Sequence, residues 1–158
     1  MVESVSFFTK STGIEREVSG VTGEYSHSID AKGRLFIPAK LREELGDVCY
    51  VTLSIDHCLS VYSTESWEAF CAKVDAKPLA ESRRMRMLFA NTAKCETDTQ
   101  GRVLIPQKLR DLIGLKKNVM IIGFSNHAEI WDSDEYAAME AELLTPENIS
   151  AGLAELGL

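Results

Sequence analysis

Asp30-Ala31-Lys32-Gly33-Arg34-Leu35-Phe36-Ile37-Pro38-Ala39-Lys40-Leu41-Arg42-Glu43-Glu44-Leu45-Gly46 occurs in a second version further along the chain. It returns as Asp98-Thr99-Gln100-Gly101-Arg102-Val103-Leu104-Ile105-Pro106-Gln107-Lys108-Leu109-Arg110-Asp111-Leu112-Ile113-Gly114. Subtracting 30 from 98 gives an offset of 68, and nine of the seventeen positions are identical at it: Asp, Gly, Arg, Ile, Pro, Lys, Leu, Arg and Gly. A repeat of this kind sets the architecture before any local reading. The 158 residues therefore divide into two small modules. Each is too short to bury much core alone, so they are expected to pack on each other or on a partner chain.

Within each copy the order of signals is the same. Glu24–Ile29 alternates weakly and meets Asp-Ala-Lys-Gly, a turn in which Gly33 supplies a positive φ. Arg34–Ile37 reads as a short apolar strand, Pro38 as the first position of a helix, and Gly46 as its stop. Leu41 and Leu45, four apart, give that helix a buried edge. Val48–Leu53 and Leu59–Tyr62 follow as strands. The second copy predicts a turn at 97–101, a strand at Arg102–Ile105, a helix from Pro106 to Ile113, and strands at Val119–Gly123 and Ala128–Trp131. A longer helix follows each module. The first is capped by Ser63 or Thr64, with Trp67, Phe70, Cys71 and Val74 on one face. The second is capped by Asp132 or Ser133, with Tyr136, Met139 and Leu143 on one face. The expected class is mainly β with short helices (α+β). Residues 1–20 are a flexible extension, 24–76 module 1 with its helix, and 77–92 a connecting helix. Residues 93–144 are module 2 with its helix, and 145–158 a frayed acidic tail.

Charge is segregated. The formal net charge is −7, but residues 129–158 hold eight of the 24 acids and no Lys or Arg, leaving 17 basic and 16 acidic residues elsewhere, a balance of +1. Local patches decide where an anion sits. Asp30 and Arg34, repeated as Asp98 and Arg102, flank the turn glycines Gly33 and Gly101. Two readings stay open for them. One is a structural ion pair that fixes the turn. In the other, Asp braces the loop while Arg presents its planar fork to phosphate or to guanine O6 and N7. Lys32, Lys40, Arg42, Lys108 and Arg110 stand near these turns as further phosphate contacts. Arg83, Arg84 and Arg86 make the densest basic run, read as a solvated helix face that could pair with the acidic tail.

Other function classes lack their signatures. There is no Gly-rich phosphate loop, G-x-S-x-G or H-E-x-x-H, and His27, His57 and His127 are isolated in sequence. Cys49, Cys58, Cys71 and Cys95 form no C-x-x-C pair and read as buried free thiols. No metal, cofactor, catalytic residue or small-molecule substrate is expected. No apolar run approaches the ~20 residues that span a bilayer. Val2, Val5, Phe7 and Phe8 followed by Lys10 and Arg16 do not make a signal peptide, so the expected compartment is the cytoplasm.

The stretch Glu24–Arg42, with Asp98-Thr99-Gln100-Gly101-Arg102-Val103-Leu104-Ile105-Pro106 and Glu129-Ile130-Trp131, resembles the MraZ family of bacterial transcriptional regulators. The similarity runs from about Tyr25 to Tyr136. The resemblance implies two tandem AbrB-like swapped-hairpin modules forming an intramolecular pseudo-dimeric barrel, assembled into a ring homo-oligomer, an octamer or a dodecamer. It implies double-stranded DNA as partner, as direct repeats of a short G-rich box upstream of the protein's own division and cell-wall operon. The action implied is repression, with nucleoid association. The DNA-contacting arginine falls on Arg34 and its counterpart on Arg102, and Lys32 fits the pattern where Gln100 departs from it. The alternative from another class is a protein-interaction scaffold, a ring without sequence-specific DNA binding.

Overall fold

The structure, a computed structural model, describes residues 7–11, 14–18 and 20–158. Ten strands are described, with short helices between them. Strands β1 (Phe7–Ser11) and β2 (Ile14–Val18) pair antiparallel with each other, within the segment expected as a flexible extension; the rest of 1–19 lies outside the described residues. Module 1 contributes β3 (Glu24–Ser28), β4 (Arg34–Phe36), α1 (Ala39–Leu45), β5 (Val48–Leu53), β6 (Leu59–Ser63) and α2 (Thr64–Asp75). Module 2 contributes β7 (Ala93–Glu96), β8 (Arg102–Leu104), α5 (Gln107–Leu112), β9 (Asn118–Phe124), β10 (His127–Asp132) and α6 (Ser133–Leu143). Between the modules lie α3 (Leu79–Ser82), a 3₁₀ turn (Arg83–Met85) and α4 (Arg86–Ala90), and α7 (Pro146–Glu155) ends the chain.

The modules are interleaved. The main sheet runs β3-β9-β10-β6-β5-β7, so the first strand of each module pairs with the third strand of the other, β3 with β9 and β7 with β5, and the two first strands form the opposite edges of the sheet. Tyr25 lies opposite Ile121 across β3–β9, and Cys49 opposite Cys95 across β5–β7. β4 does not continue a hairpin with β3. Only the single bridge Ile29–Leu35 joins them, and β4 pairs instead with β8, Leu35 facing Val103. This is the strand exchange expected of swapped hairpins. The expected barrel is, in hydrogen-bond order, an open sheet ending in β3 and β7, with the β4–β8 ribbon as a separate pair.

Exchange solves the size problem. Leu35, Ile37, Leu41 and Leu45 are buried, and so are their repeat counterparts Val103, Ile105, Leu109 and Ile113, all in one cluster. Neither half could assemble that core alone. Ser63 Oγ caps α2 by accepting from the Ser66 N–H, and Asp132 caps α6 by accepting from the Asp134 N–H, each one of the two caps anticipated. Trp67 on α2 packs between Tyr50 and Phe70, with Phe89 of α4 5.5 Å away.

Three expectations change. The connecting helix of 77–92 is broken by the 3₁₀ turn into two short helices. Pro38 and Pro106 stand one residue ahead of their helices, where the Pro38 carbonyl accepts the first helical bonds. The segment 145–158 is not frayed. Thr145 Oγ1 accepts from the Asn148 N–H and Pro146 occupies the first turn, so Thr-Pro starts a helix there.

Candidate nucleic-acid interface

The two repeated turns have the same internal construction. Asp30 Oδ1 accepts from the backbone N–H groups of Lys32 and Arg34, both at 2.9 Å, and Oδ2 accepts from Arg34 Nε at 2.8 Å. Asp98 Oδ1 accepts from the N–H groups of Gln100 and Arg102 at 2.9 Å, and Oδ2 from Arg102 Nε at 2.9 Å. Gly33 and Gly101 take φ of +87° and +80°, the left-handed region. The structural reading of the Asp–Arg pair is built into both turns. Nε is committed to bracing the turn, while the guanidinium of Arg34 pairs with no second acid among the described residues.

The turn bonds also set the acidity of the two aspartates. The backbone N–H of Arg34 is the largest influence holding the Asp30 carboxyl below its ordinary value, with that residue's side chain adding to it. Asp98 is lowered in the same way, first by the Arg102 N–H. A lowered folded-state value means the turn's contribution is present above the ordinary carboxylate range and lost as pH falls through the folded value. The Gly33 and Gly101 amide resonances should therefore hold constant from pH 8 to about 5 and move only below about 4. Titration near neutrality would contradict this.

Antiparallel pairing of β4 with β8 then joins the two turns through one ribbon, one turn at each end: the Gly33 carbonyl accepts from the Ile105 N–H and the Gly101 carbonyl from the Ile37 N–H. Side chains alternate on a strand, so Leu35 and Val103 face inward while Arg34, Phe36, Arg102 and Leu104 share the outer face. Arg34 lies opposite Leu104, and Phe36 opposite Arg102. Arg102 Nη1 comes within 3.9 Å of Asp30 Oδ2, an ion pair between modules. Phe36 is 37 % and Leu104 56 % exposed. The outer face is a two-stranded ribbon with two guanidinium groups and two apolar side chains.

The other expected contacts separate into two groups. Arg42 and Arg110 turn inward. Arg42 Nε donates to the Ile37 carbonyl and its guanidinium lies over the Phe36 ring, while Arg110 Nε donates to the Ile105 carbonyl. Each also closes on the opposite module's turn. A Cβ on Gly101 would lie 3.1 Å from Arg42 Cζ, and one on Gly33 2.7 Å from Arg110 Nη2. Through these contacts both arginines tie their helices to the ribbon. Lys32, Lys40 and Lys108 are exposed and form no ion pair with the described residues.

Phe36 and Leu104 were missing from the sequence reading, and so was Lys117. The two strand residues escaped because their outward face depends on the pairing of β4 with β8. Lys117 lies with Asp30, Ala31 and Arg110 around an open cleft, and its carbonyl accepts from the Ile29 N–H. At the second turn the equivalent bond comes from the Asp47 carbonyl, so the first turn stands in the more basic surroundings. The histidines gain neighbours: His27 the Phe36 ring, His57 Glu135, and His127 Asn126 and Glu129. Among the described residues no group of three or more His, Cys, Asp or Glu is placed to hold a metal ion.

The chain matches the family described as "MraZ protein, putative antitoxin-like" twice, over residues 21–87 and 88–156. It is 43 % identical over 140 residues to the transcriptional regulator MraZ of Acetivibrio thermocellus, covering 86 % of this chain and 98 % of that one. It is 46 % identical over 115 residues to the protein of the same description from Carboxydothermus hydrogenoformans, covering 71 % and 80 %. The counterpart from Caldicellulosiruptor bescii is 42 % identical over 140 residues, covering 86 % and 98 %.

Proposed function

The chain belongs to the MraZ family, and from that premise we propose that it is a transcriptional regulator, not an enzyme, that binds double-stranded DNA through the outer face of the β4–β8 ribbon. The observation that carries this reading is the pair of braced arginines, Arg34 and Arg102, on one exposed two-stranded face. The major groove, about 12 Å wide, admits such a ribbon, and β-ribbon readers enter it this way. Nε fixed by the aspartate leaves the end of the guanidinium to approach guanine O6 and N7. Phe36 and Leu104 are placed for thymine methyl groups. Lys32, Lys40 and Lys108 supply phosphate contacts that position without reading.

The finer picture follows the family resemblance: repression of the protein's own division and cell-wall operon through direct repeats of a short G-rich box, by a ring homo-oligomer associated with the nucleoid in the cytoplasm. Among the described residues no helix is long and apolar enough to cross a membrane. A ring that presents one ribbon per chain suits repeated boxes, because each further contact is made at high effective concentration. The first turn, with Lys32 and Lys117 where the second has Gln100 and Asp47, takes the larger share of binding.

Mobility-shift titrations on the DNA upstream of the encoding gene, at several salt concentrations, test the reading. Neutralising phosphates makes log K fall with log[salt] at about 0.9 per phosphate. Lys40→Ala or Lys108→Ala should flatten that slope by about 1. Arg42→Ala should leave the slope unchanged and instead lower stability by about 1 kcal/mol, through its lost bond to the Ile37 carbonyl. Affinity unchanged by salt, or equal for every DNA, would favour the scaffold.

A further inference from the structure

Helix α7 is an anomaly within its own chain. It has an N-cap, yet every residue from Pro146 to Leu158 is exposed. Ile149, Leu153 and Leu156 lie on one face at i, i+4 and i+7, at 53 %, 46 % and 75 % exposure. Ten residues are too few for a helix to stand alone in water. Its apolar face is open to a partner.

Its repeat counterpart shows what such a helix does. Pro146 lies 68 residues after Pro78, the offset of the repeat, so α7 corresponds to α3–α4. In module 1 that segment folds back, placing Phe89 on Trp67 and Phe70 of α2. In module 2 it does not fold back, and the apolar face stays open.

A groove elsewhere on the same chain has the complementary character. It is open, about 320 Å³, and lined by Trp67, Phe70, Met85, Leu88, Ile55 and Phe124 among others. Glu129 lies at its floor but is already engaged by Trp131 Nε1 at 2.9 Å and by His127, so the floor calls for no charged ligand. Arg83, Arg84 and Arg86 come from the segment that carries Met85 and Leu88. All three are exposed, with no acid in ion-pair range among the described residues. The segment with the missing partner is acidic: α7 carries Glu147 and Glu155, with no Lys or Arg after residue 129.

We propose that α7 of one copy docks in the aromatic groove between α2 and α4 of a second copy, its acids facing Arg83, Arg84 and Arg86. The two surfaces differ, so the contact is head-to-tail. Such contacts propagate and close into a ring when the rotation permits. The inference rests on the ring-oligomer reading above and assigns the surfaces that build it.

Sedimentation of the full chain tests both separately. Leu153→Asp alters only the helix, and the triple Arg83→Glu, Arg84→Glu, Arg86→Glu only the groove rim. All these side chains are exposed, so the fold should survive. Each variant alone should shift from the assembly to monomer. An equal mixture of the two should form 1:1 dimers, since one intact helix then meets one intact groove. Leu153→Asp with unchanged assembly size would overturn the docking and leave the ring standing. Dissociation by Leu153→Asp with the groove-rim variant still assembled would overturn the head-to-tail seat in favour of α7 against α7, and two dissociated variants that fail to pair when mixed would overturn it as well. A monomeric native chain would overturn docking and ring together.

Discussion

Arg34→Ala is expected to abolish sequence-selective retardation of DNA while leaving the protein folded and its oligomer size unchanged. One bidentate arginine–guanine contact discriminates by about 1–3 kcal/mol, roughly 5- to 150-fold in affinity. If several ribbons of a ring engage repeated boxes at once, the loss recurs at each. The fold should persist because Asp30 still accepts the two backbone N–H bonds that shape the turn. Lys at this position should rescue charge but not selectivity, since an ammonium has no planar fork. Arg102→Ala should cost less, because its Nη1 is drawn toward Asp30 and its loop carries Gln100. Equal retardation of box-bearing and scrambled DNA by the native chain would contradict this expectation.

Leu35→Ala is expected to have the largest effect on stability. Leu35 is 0 % exposed and faces Val103 where the two modules cross. Leu-to-Ala changes at such sites cost about 2–5 kcal/mol, the spread reflecting how far the cavity collapses. The loss should appear as a lower denaturant midpoint followed by tryptophan fluorescence, Trp67 reporting from module 1 and Trp131 from module 2. Interleaving predicts that both tryptophans report a single transition. Two separate transitions would mean the modules fold independently. Arg34→Ala, by contrast, should move the midpoint by no more than about 0.5 kcal/mol in equivalent stability.

The repeat made much of this arrangement legible. Among the residues identical across the two copies, two structural kinds stand out. Ile37 and Ile105, Leu41 and Leu109 are core, while Asp30 and Asp98, Arg34 and Arg102 build the turns. Local pattern could not separate them or reveal that β4 pairs with β8, because strand pairing is a long-range choice. The outward face of Phe36 and Leu104 was hidden for that reason. Arg42 and Arg110 looked like phosphate contacts by charge alone. Each also bonds a carbonyl five residues back, and each approaches the opposite module's turn glycine, a neighbour that exists only once the modules interleave. The α7 helix was legible in principle, from Thr-Pro and the spacing of Ile149, Leu153 and Leu156. Its acidity and its position at the end of the sequence made it look like a tail.

The most direct test of the central claim is methylation protection of guanine N7 on the DNA upstream of the encoding gene, at saturating protein. A ribbon seated in the major groove by Arg34 predicts protected guanines recurring at a regular interval, with protection lost in Arg34→Ala at equal occupancy. Guanines methylated as in free DNA under full retardation would contradict it, placing the ribbon outside the major groove.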